Sequence, residues 1–173
     1  PHAMKKSSNQ HDDFCGITIT LKGTPRPQPR PRFVGGRVVS TASPKSRAFA
    51  RALERAAREA VENFGGADAV REAFAGPGLS LWLLASFNTK DVRRHGQPHT
   101  NRPDGDNLAK LCADCLMRAG ALGGDDSRIV EWNVRKVWGA SGFLSVTVRP
   151  INTTSQPTRP TAMDLPPDWL RGR

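Results

Sequence analysis

No stretch of the chain approaches the eighteen or so consecutive apolar residues that a membrane-spanning helix requires, and no secretory leader is visible. Cysteine is scarce as well. The three present, Cys15, Cys112 and Cys115, are an odd number that fits a disulfide framework poorly. Cys112 and Cys115 stand in the spacing CADC, but neither a second CxxC nor a histidine pair at ligand spacing completes a zinc site. Both thiols fall on the apolar face of the helix predicted around them, where free cysteine behaves as a small hydrophobe. The reading that remains is a reduced, cytoplasmic protein with core cysteines. Negative charge is also in short supply: 26 Lys and Arg stand against 16 Asp and Glu, a formal net charge of +10. That excess points to a polyanionic partner without separating an enzyme from a passive binder. No internal repeat is present, and 173 residues suit one domain with tails.

Residues 1–13 are polar and read as disordered, the first three, ahead of Met4, as a cloning remnant. Gly16-Ile17-Thr18-Ile19-Thr20-Leu21 alternates with period two and predicts a strand. The following KGTPRPQPRPRFVGGRVV carries Lys22, Arg26, Arg30, Arg32 and Arg37 and no acid. Its prolines favour an extended backbone, so it reads as a stiff basic loop suited to touching phosphates. Ser43 as cap, Pro44 at the first helical position and Gly65 as terminator bound a long helix. Its apolar stripe is Phe49, Leu53, Ala56, Ala57, Ala60 and Val61. Residues 79–87, LSLWLLASF, form a strand apolar enough for the centre of a sheet, with Trp82 as a core residue. A polar loop, 88–102, carries Lys90, Arg93, Arg94 and Arg102. A second helix is predicted from 105 to Ala119, closed by Gly120 and burying Leu108, Leu111, Cys112, Cys115 and Leu116. Strands over 129–138 and 143–148, joined through GASG, read as a hairpin. Residues 151–173, rich in Pro, Thr and Arg, read as a disordered tail. The order strand, helix, strand, helix, hairpin predicts one α/β domain over 14–150, with a mixed β-sheet flanked by helices.

Against this basic background NRPDGDNLAK, residues 101–110, sets two carboxylates one residue apart, and GALGGDDSRIV adds Asp125 and Asp126. Helix capping explains one of Asp104 and Asp106. It does not explain all four acids. Asp106, Lys110 and Asp114 recur every four residues, about 6 Å apart along one helix face. Lys110 can therefore point at a carboxylate cluster or form an ordinary ion pair with Asp106 or Asp114. Glycines 120, 123 and 124 permit a tight return that brings the 125–126 pair to the mouth of the helix. Converging carboxylates repel one another unless a cation compensates them. They offer hard oxygen ligands of the kind Mg²⁺ takes together with phosphate oxygens. Such a site can polarise a scissile phosphate, with Lys110 offsetting the developing charge.

The run RPDGDNLAKLCADCLMRAGALGGDDSRIVEWNVRKVWG closely resembles the signature of the RusA family of Holliday junction resolvases. The shared pattern is Asp-x-Asp-Asn-Leu-x-Lys, an Asp four residues on, an Ala-Gly at the helix end, and an Asp-Asp before a strand. Asp104, Asp106, Asn107, Leu108, Lys110, Asp114, Ala119, Gly120, Asp125 and Asp126 match it. The resemblance is strong over 104–138, weaker over 16–103 and absent from both tails. It implies a metal-dependent endonuclease, usually encoded by a phage or prophage, that acts as a homodimer on four-way DNA junctions. The expected metal is Mg²⁺, for which Mn²⁺ can substitute, and the expected location is the host cytoplasm on nucleoid DNA. The essential carboxylates map onto Asp104, Asp106 and Asp126, and the essential lysine onto Lys110. Two departures stand out: Gly105 where a branched apolar residue is usual, and a return one residue longer than in some relatives. The second leaves Asp125 as an alternative ligand to Asp126. Arg26, Arg30, Arg32, Arg93, Arg94 and Arg102 are the candidate phosphate contacts, and His95 and His99 read as loop residues near the DNA. Two other readings stand beside this one: a less selective nuclease for other branched DNA, and a non-catalytic structure-selective DNA-binding protein.

Overall fold

The computed structural model describes residues 16–29, 31–39 and 42–151. The expected disordered ends, Cys15 and Arg30 lie outside the described residues. Strand β1 (Ile17–Lys22) buries Ile17 and Ile19 and exposes Thr18 and Thr20, as its alternation requires. The basic segment does not stay a loop throughout, because β2 (Arg32–Val34) and β3 (Arg37–Val39) pair as a small antiparallel hairpin. The prolines end at Pro31, and Gly35 and Gly36 both take positive φ, 56° and 76°. A two-residue hairpin turn wants that conformation at both central positions.

Helix α1 (Pro44–Phe64) has the predicted bounds. The Ser43 hydroxyl oxygen accepts from the Ser46 N–H at 3.1 Å, and Gly65 ends the helix at φ 112°. Phe49, Leu53, Ala57 and Val61 are buried, one residue per turn, facing the sheet. A short helix the sequence reading did not contain, α2 (Ala67–Ala73), follows and inserts Val70 into the core.

Strand β4 (Leu79–Asn88) is central, and the four-stranded sheet runs β1-β6-β4-β5. Helix α3 (Gly105–Arg118) carries the chain from β4 to β5 (Ile129–Gly139), which lies parallel to β4. A parallel neighbour needs such a crossover. Strand β6 (Phe143–Pro150) then pairs antiparallel with both β1 and β4. The predicted hairpin of the last two strands is therefore corrected. Among the described residues no ladder joins β5 to β6, because β4 lies between them. The GASG segment instead crosses the end of β4 and is tied to it. Ser86 Oγ donates to Ser141 O at 2.8 Å, Asn88 to Ala140 O at 2.5 Å, and Thr89 N to Gly139 O at 2.9 Å.

One face of the sheet meets α1 and α3, with Ile19, Leu83, Val146 and Leu144 among its buried residues. Cys112 and Cys115 are buried free thiols in that core. Burial pushes both thiols up and leaves them as packing groups. The opposite face carries rows of hydroxyls, with Thr18 bonded to Thr147 at 2.9 Å and Thr20 to Ser145 at 3.2 Å. Trp82 lies on this second face and is 46% exposed, not core as its apolar strand suggested. Its neighbours Leu81 and Leu83 point inward, so strand alternation turns Trp82 outward, where Arg149 lies 5.3 Å from its ring centre. No helix of the described residues is long and apolar enough to cross a membrane.

Candidate active site

The site is built where the loop after β4 delivers the chain to α3. That loop runs back along β5 and is held to it. Gly96 N donates to Trp138 O (2.8 Å), Trp138 N to Gln97 O (2.9 Å), and His99 N to Lys136 O (3.0 Å). His99 is no exposed loop group. It is buried, stacked on Phe87 at 3.9 Å between ring centres, with Trp138 at 4.2 Å. Burial, then the charge of Lys136, lowers its pKa below that of an ordinary histidine. His95 is half-buried, with Nε2 at 3.2 Å from Thr89 O. Lys136 then closes the loop, its Nζ donating to Asn101 O at 2.8 Å and Pro103 O at 2.7 Å. These carbonyls flank Arg102, two residues before Asp104. Nothing in a strand reading of 129–138 marks Lys136 for this role, because its partners are set only when loop and strand meet.

Asp104 occupies the N-cap position of α3, with extended backbone and its carbonyl accepting from Leu108 N at 3.3 Å. Its side chain makes no capping bond. Asp106 is in the first helical turn. The glycine between them is accounted for by packing, since a Cβ on Gly105 would stand 3.2 Å from Val134 Cγ1. A branched side chain there would press on β5, so the departure from the usual pattern matches a close approach of helix to strand.

At its far end α3 reverses through Gly120 at φ 80°, with Ala121 N bonded to Leu116 O at 2.9 Å. Arg128 braces the return, donating to Leu122 O at 3.0 Å, Gly76 O at 3.2 Å and Phe74 O. A 3₁₀ turn, Asp126–Arg128, leads into β5. The two adjacent acids separate here. Asp125 caps the turn, accepting from Ser127 N at 2.9 Å. The Ser127 N–H, followed by other bonds from that serine, holds Asp125 below the usual carboxylate range. Asp126 faces α3, and its Oδ2 accepts from Lys110 Nζ at 2.6 Å.

Lys110 also meets Asp114 at 3.0 Å, and the other Asp114 oxygen accepts from Gln28 Nε2 at 2.6 Å. Bonds to Asp126 first, then Asp114, raise the Lys110 pKa and keep the ammonium charged. Gln28 also donates its backbone N–H to Asn107 O at 3.1 Å. The Pro-rich arm is thus bound across α3 by its single amide side chain, a role visible in the sequence only as an uncharged break in PRPQPRP.

The returning chain reaches α3 at Lys110, about 6 Å inward from Asp106 along the axis. Among the described residues no group of three or more acidic, histidine or cysteine side chains is gathered to hold a metal. The donor chemistry nonetheless suits Mg²⁺, which is commonly held by one or two carboxylates with waters and substrate phosphates completing its shell. Asp104 and Asp106 meet that smaller requirement.

The candidate arginines fall in three places. Arg26 and Arg102 line one cleft with Asp104. Arg94 lies over the Trp138 ring at 4.5 Å, while the exposed Arg93 pairs with Asp91 at 3.0 Å. Arg32 lies on β2, and Arg30 is outside the described residues. No curated protein matches the chain. The family model described as Endodeoxyribonuclease RusA matches residues 22–149.

Proposed function

Because this chain belongs to the RusA endodeoxyribonuclease family, we propose that it resolves four-way DNA junctions as a Mg²⁺-dependent homodimer, by paired symmetric nicks. The observation that carries the reading is the carboxylate of Asp104. Ser43 spends its side chain capping α1, whereas Asp104, in the same position on α3, does not cap. A capping hydrogen bond therefore does not account for an acid at this position.

In this reading Asp104 and Asp106 hold Mg²⁺, and Asp126 is the third carboxylate of the site. Asp125 is the less suitable of the adjacent pair because it caps the 3₁₀ turn, whereas Asp126 faces α3. A bound Mg²⁺ supplies polarisation of the scissile phosphate and a more acidic attacking water. Lys110 stays protonated and offsets charge that develops on the phosphorane or leaving oxygen. Its bonds to Asp126 and Asp114 restrict the ammonium to one side of α3. Arg26, Arg30, Arg32, Arg93, Arg94 and Arg102 hold phosphates and position the substrate without reading its sequence. Two equivalent sites related by a dyad suit two nicks in strands of like polarity.

The test is cutting of end-labelled four-way junctions and matched duplex, in Mg²⁺, Mn²⁺ and EDTA, with cuts mapped to the nucleotide. Paired symmetric nicks, confined to the junction and to metal-containing reactions, are expected. Asp104→Asn and Asp126→Asn are expected to lose cutting by a factor of about 100 or more, the scale of losing one electrostatic contributor to catalysis. Both are expected to keep gel-shift binding of the junction, since less negative charge does not weaken phosphate contacts. Equal cutting of duplex overturns junction selectivity, and junction binding without cutting in either metal overturns the enzyme reading.

A further inference from the structure

The cleft that Asp104 shares with Arg26 and Arg102 has a character that phosphate binding leaves unexplained. Its volume is about 540 Å³, within the range of small-ligand pockets. It opens between the Pro-rich arm and the start of α3, which Gln28 ties together through Asn107 O and Asp114. Buried Pro25 and Phe87 line it, with half-buried Pro27 and Pro103 and, beside them, half-buried Arg26, Gln28 and Asn107. Arg102, Asp104 and Thr24 are exposed at its mouth. A phosphate pocket presents N–H groups and cations at its bottom. This one differs: its most buried lining residues, Pro25 and Phe87, are apolar, and two of its exposed ones, Arg102 and Asp104, are charged.

We propose that the cleft receives one unstacked nucleobase of the DNA strand being cut, with the flanking phosphate held at the mouth by Arg102 and Arg26. This inference rests on the DNA-cutting reading above and names the part of the substrate that the site takes. A base is flat and uncharged, so it can lie against the proline rings above the buried Phe87 while its charged backbone stays in solvent beside the two guanidiniums. Burying a base this way does not depend on its identity, because every base has an apolar face. Nucleotides at the crossover of a junction have lost regular stacking and are the least costly to extract. A base held here also places its own phosphate at the mouth where Asp104 stands. The cleft thus accounts for selection of a branched strand over duplex, where extraction costs more.

The test uses the full-length protein and four-way junctions carrying 2-aminopurine, a base whose fluorescence is quenched by stacking, at single positions around the crossover. Measurements are made in EDTA, so that no strand is cut. With the unaltered protein, one position, or a pair related by the junction's two-fold symmetry, is expected to brighten on binding. Thr24→Phe, a change at an exposed site that fills the mouth, is expected to abolish that brightening while the junction still binds in a gel shift. Brightening of equal size with Thr24→Phe shows junction opening alone and overturns the proposal, as does no brightening at any position. Failure of the nuclease reading is seen separately, as a chain that binds unlabelled junctions and leaves them intact in Mg²⁺.

Discussion

Two lysines near the start of α3 do different work. Lys110 is a charge placed beside carboxylates, and Lys136 is a clamp on backbone carbonyls. Because its partners raise the Lys110 pKa, the stability of that cluster is complete below the ordinary lysine value of about 10.4 and lost only as pH rises through the higher folded value. Titration of Lys110 therefore has no part in any change of cutting rate between neutral pH and about pH 9. Lys136→Met removes two charge-assisted hydrogen bonds, to Asn101 O and Pro103 O. It is expected to cost on the order of 1–3 kcal/mol in urea unfolding. It is also expected to lower the cutting rate more than junction affinity, and Lys136→Arg should recover part of the rate. His99 carries the opposite pH sign to Lys110. Its folded pKa is depressed, so the unfolded chain binds the proton more readily. Stability is then complete above about pH 6.5 and falls as pH drops through that region. The melting temperature of the protein should fall on acidification from pH 7.5 to 5.5, and that of a His99→Phe variant should fall less.

Elements whose ends are set by adjacent residues were legible directly. Ser43, Pro44 and Gly65 bound α1 because cap, first turn and terminator all act within a few residues. Ser43→Ala should therefore lower stability by about 1 kcal/mol, read as a shift of the urea midpoint at unchanged slope. Helix α3 was legible for the same reason, ending at Gly120. The β2–β3 hairpin carried a local signal, Val34-Gly35-Gly36-Arg37, which the surrounding prolines obscured. Helix α2 has only seven residues and no side-chain cap, too few turns for a periodic apolar stripe to stand out. Strands were recognised as strands, but their partners were not. Residues 139–142 could close a hairpin by length alone, and only the presence of β4 between β5 and β6 excludes it.

At the scale of the whole molecule, the net charge of +10 makes association with DNA a counterion-release process. If the six candidate arginines all meet phosphates, raising salt from about 50 to 200 mM should weaken junction binding roughly a thousandfold. Anisotropy titrations across that range give the slope of log affinity against log salt. A slope near zero removes the arginines from the interface. The sheet divides the molecule in the same sense. One face is closed by α1 and α3 over the core, and the loop after β4 returns along β5 to set Gly105, between the first two acids, beside Val134, while Asp126 precedes the start of the same strand. The basic arm after β1 crosses in front of α3, so the positive charge stands beside the acids it accompanies in the sequence only at a distance.

The sequence by itself determined the α/β class, the extent of the two long helices, the burial of Cys112 and Cys115 and the family the chain belongs to. Each rests on spacing within a few turns or on one contiguous motif, and such patterns survive without knowledge of what packs against them. Tertiary structure alone decided which of Asp125 and Asp126 faces Lys110, how far along α3 that meeting occurs, and which side of the sheet exposes Trp82. It also decided that Gln28 grips Asp114 and that Lys136 holds the loop before Asp104. Those contacts join residues far apart in the chain. Their geometry depends on the parallel pairing of β4 with β5, and a residue pattern carries no record of a distance until the strands that set it have found their neighbours.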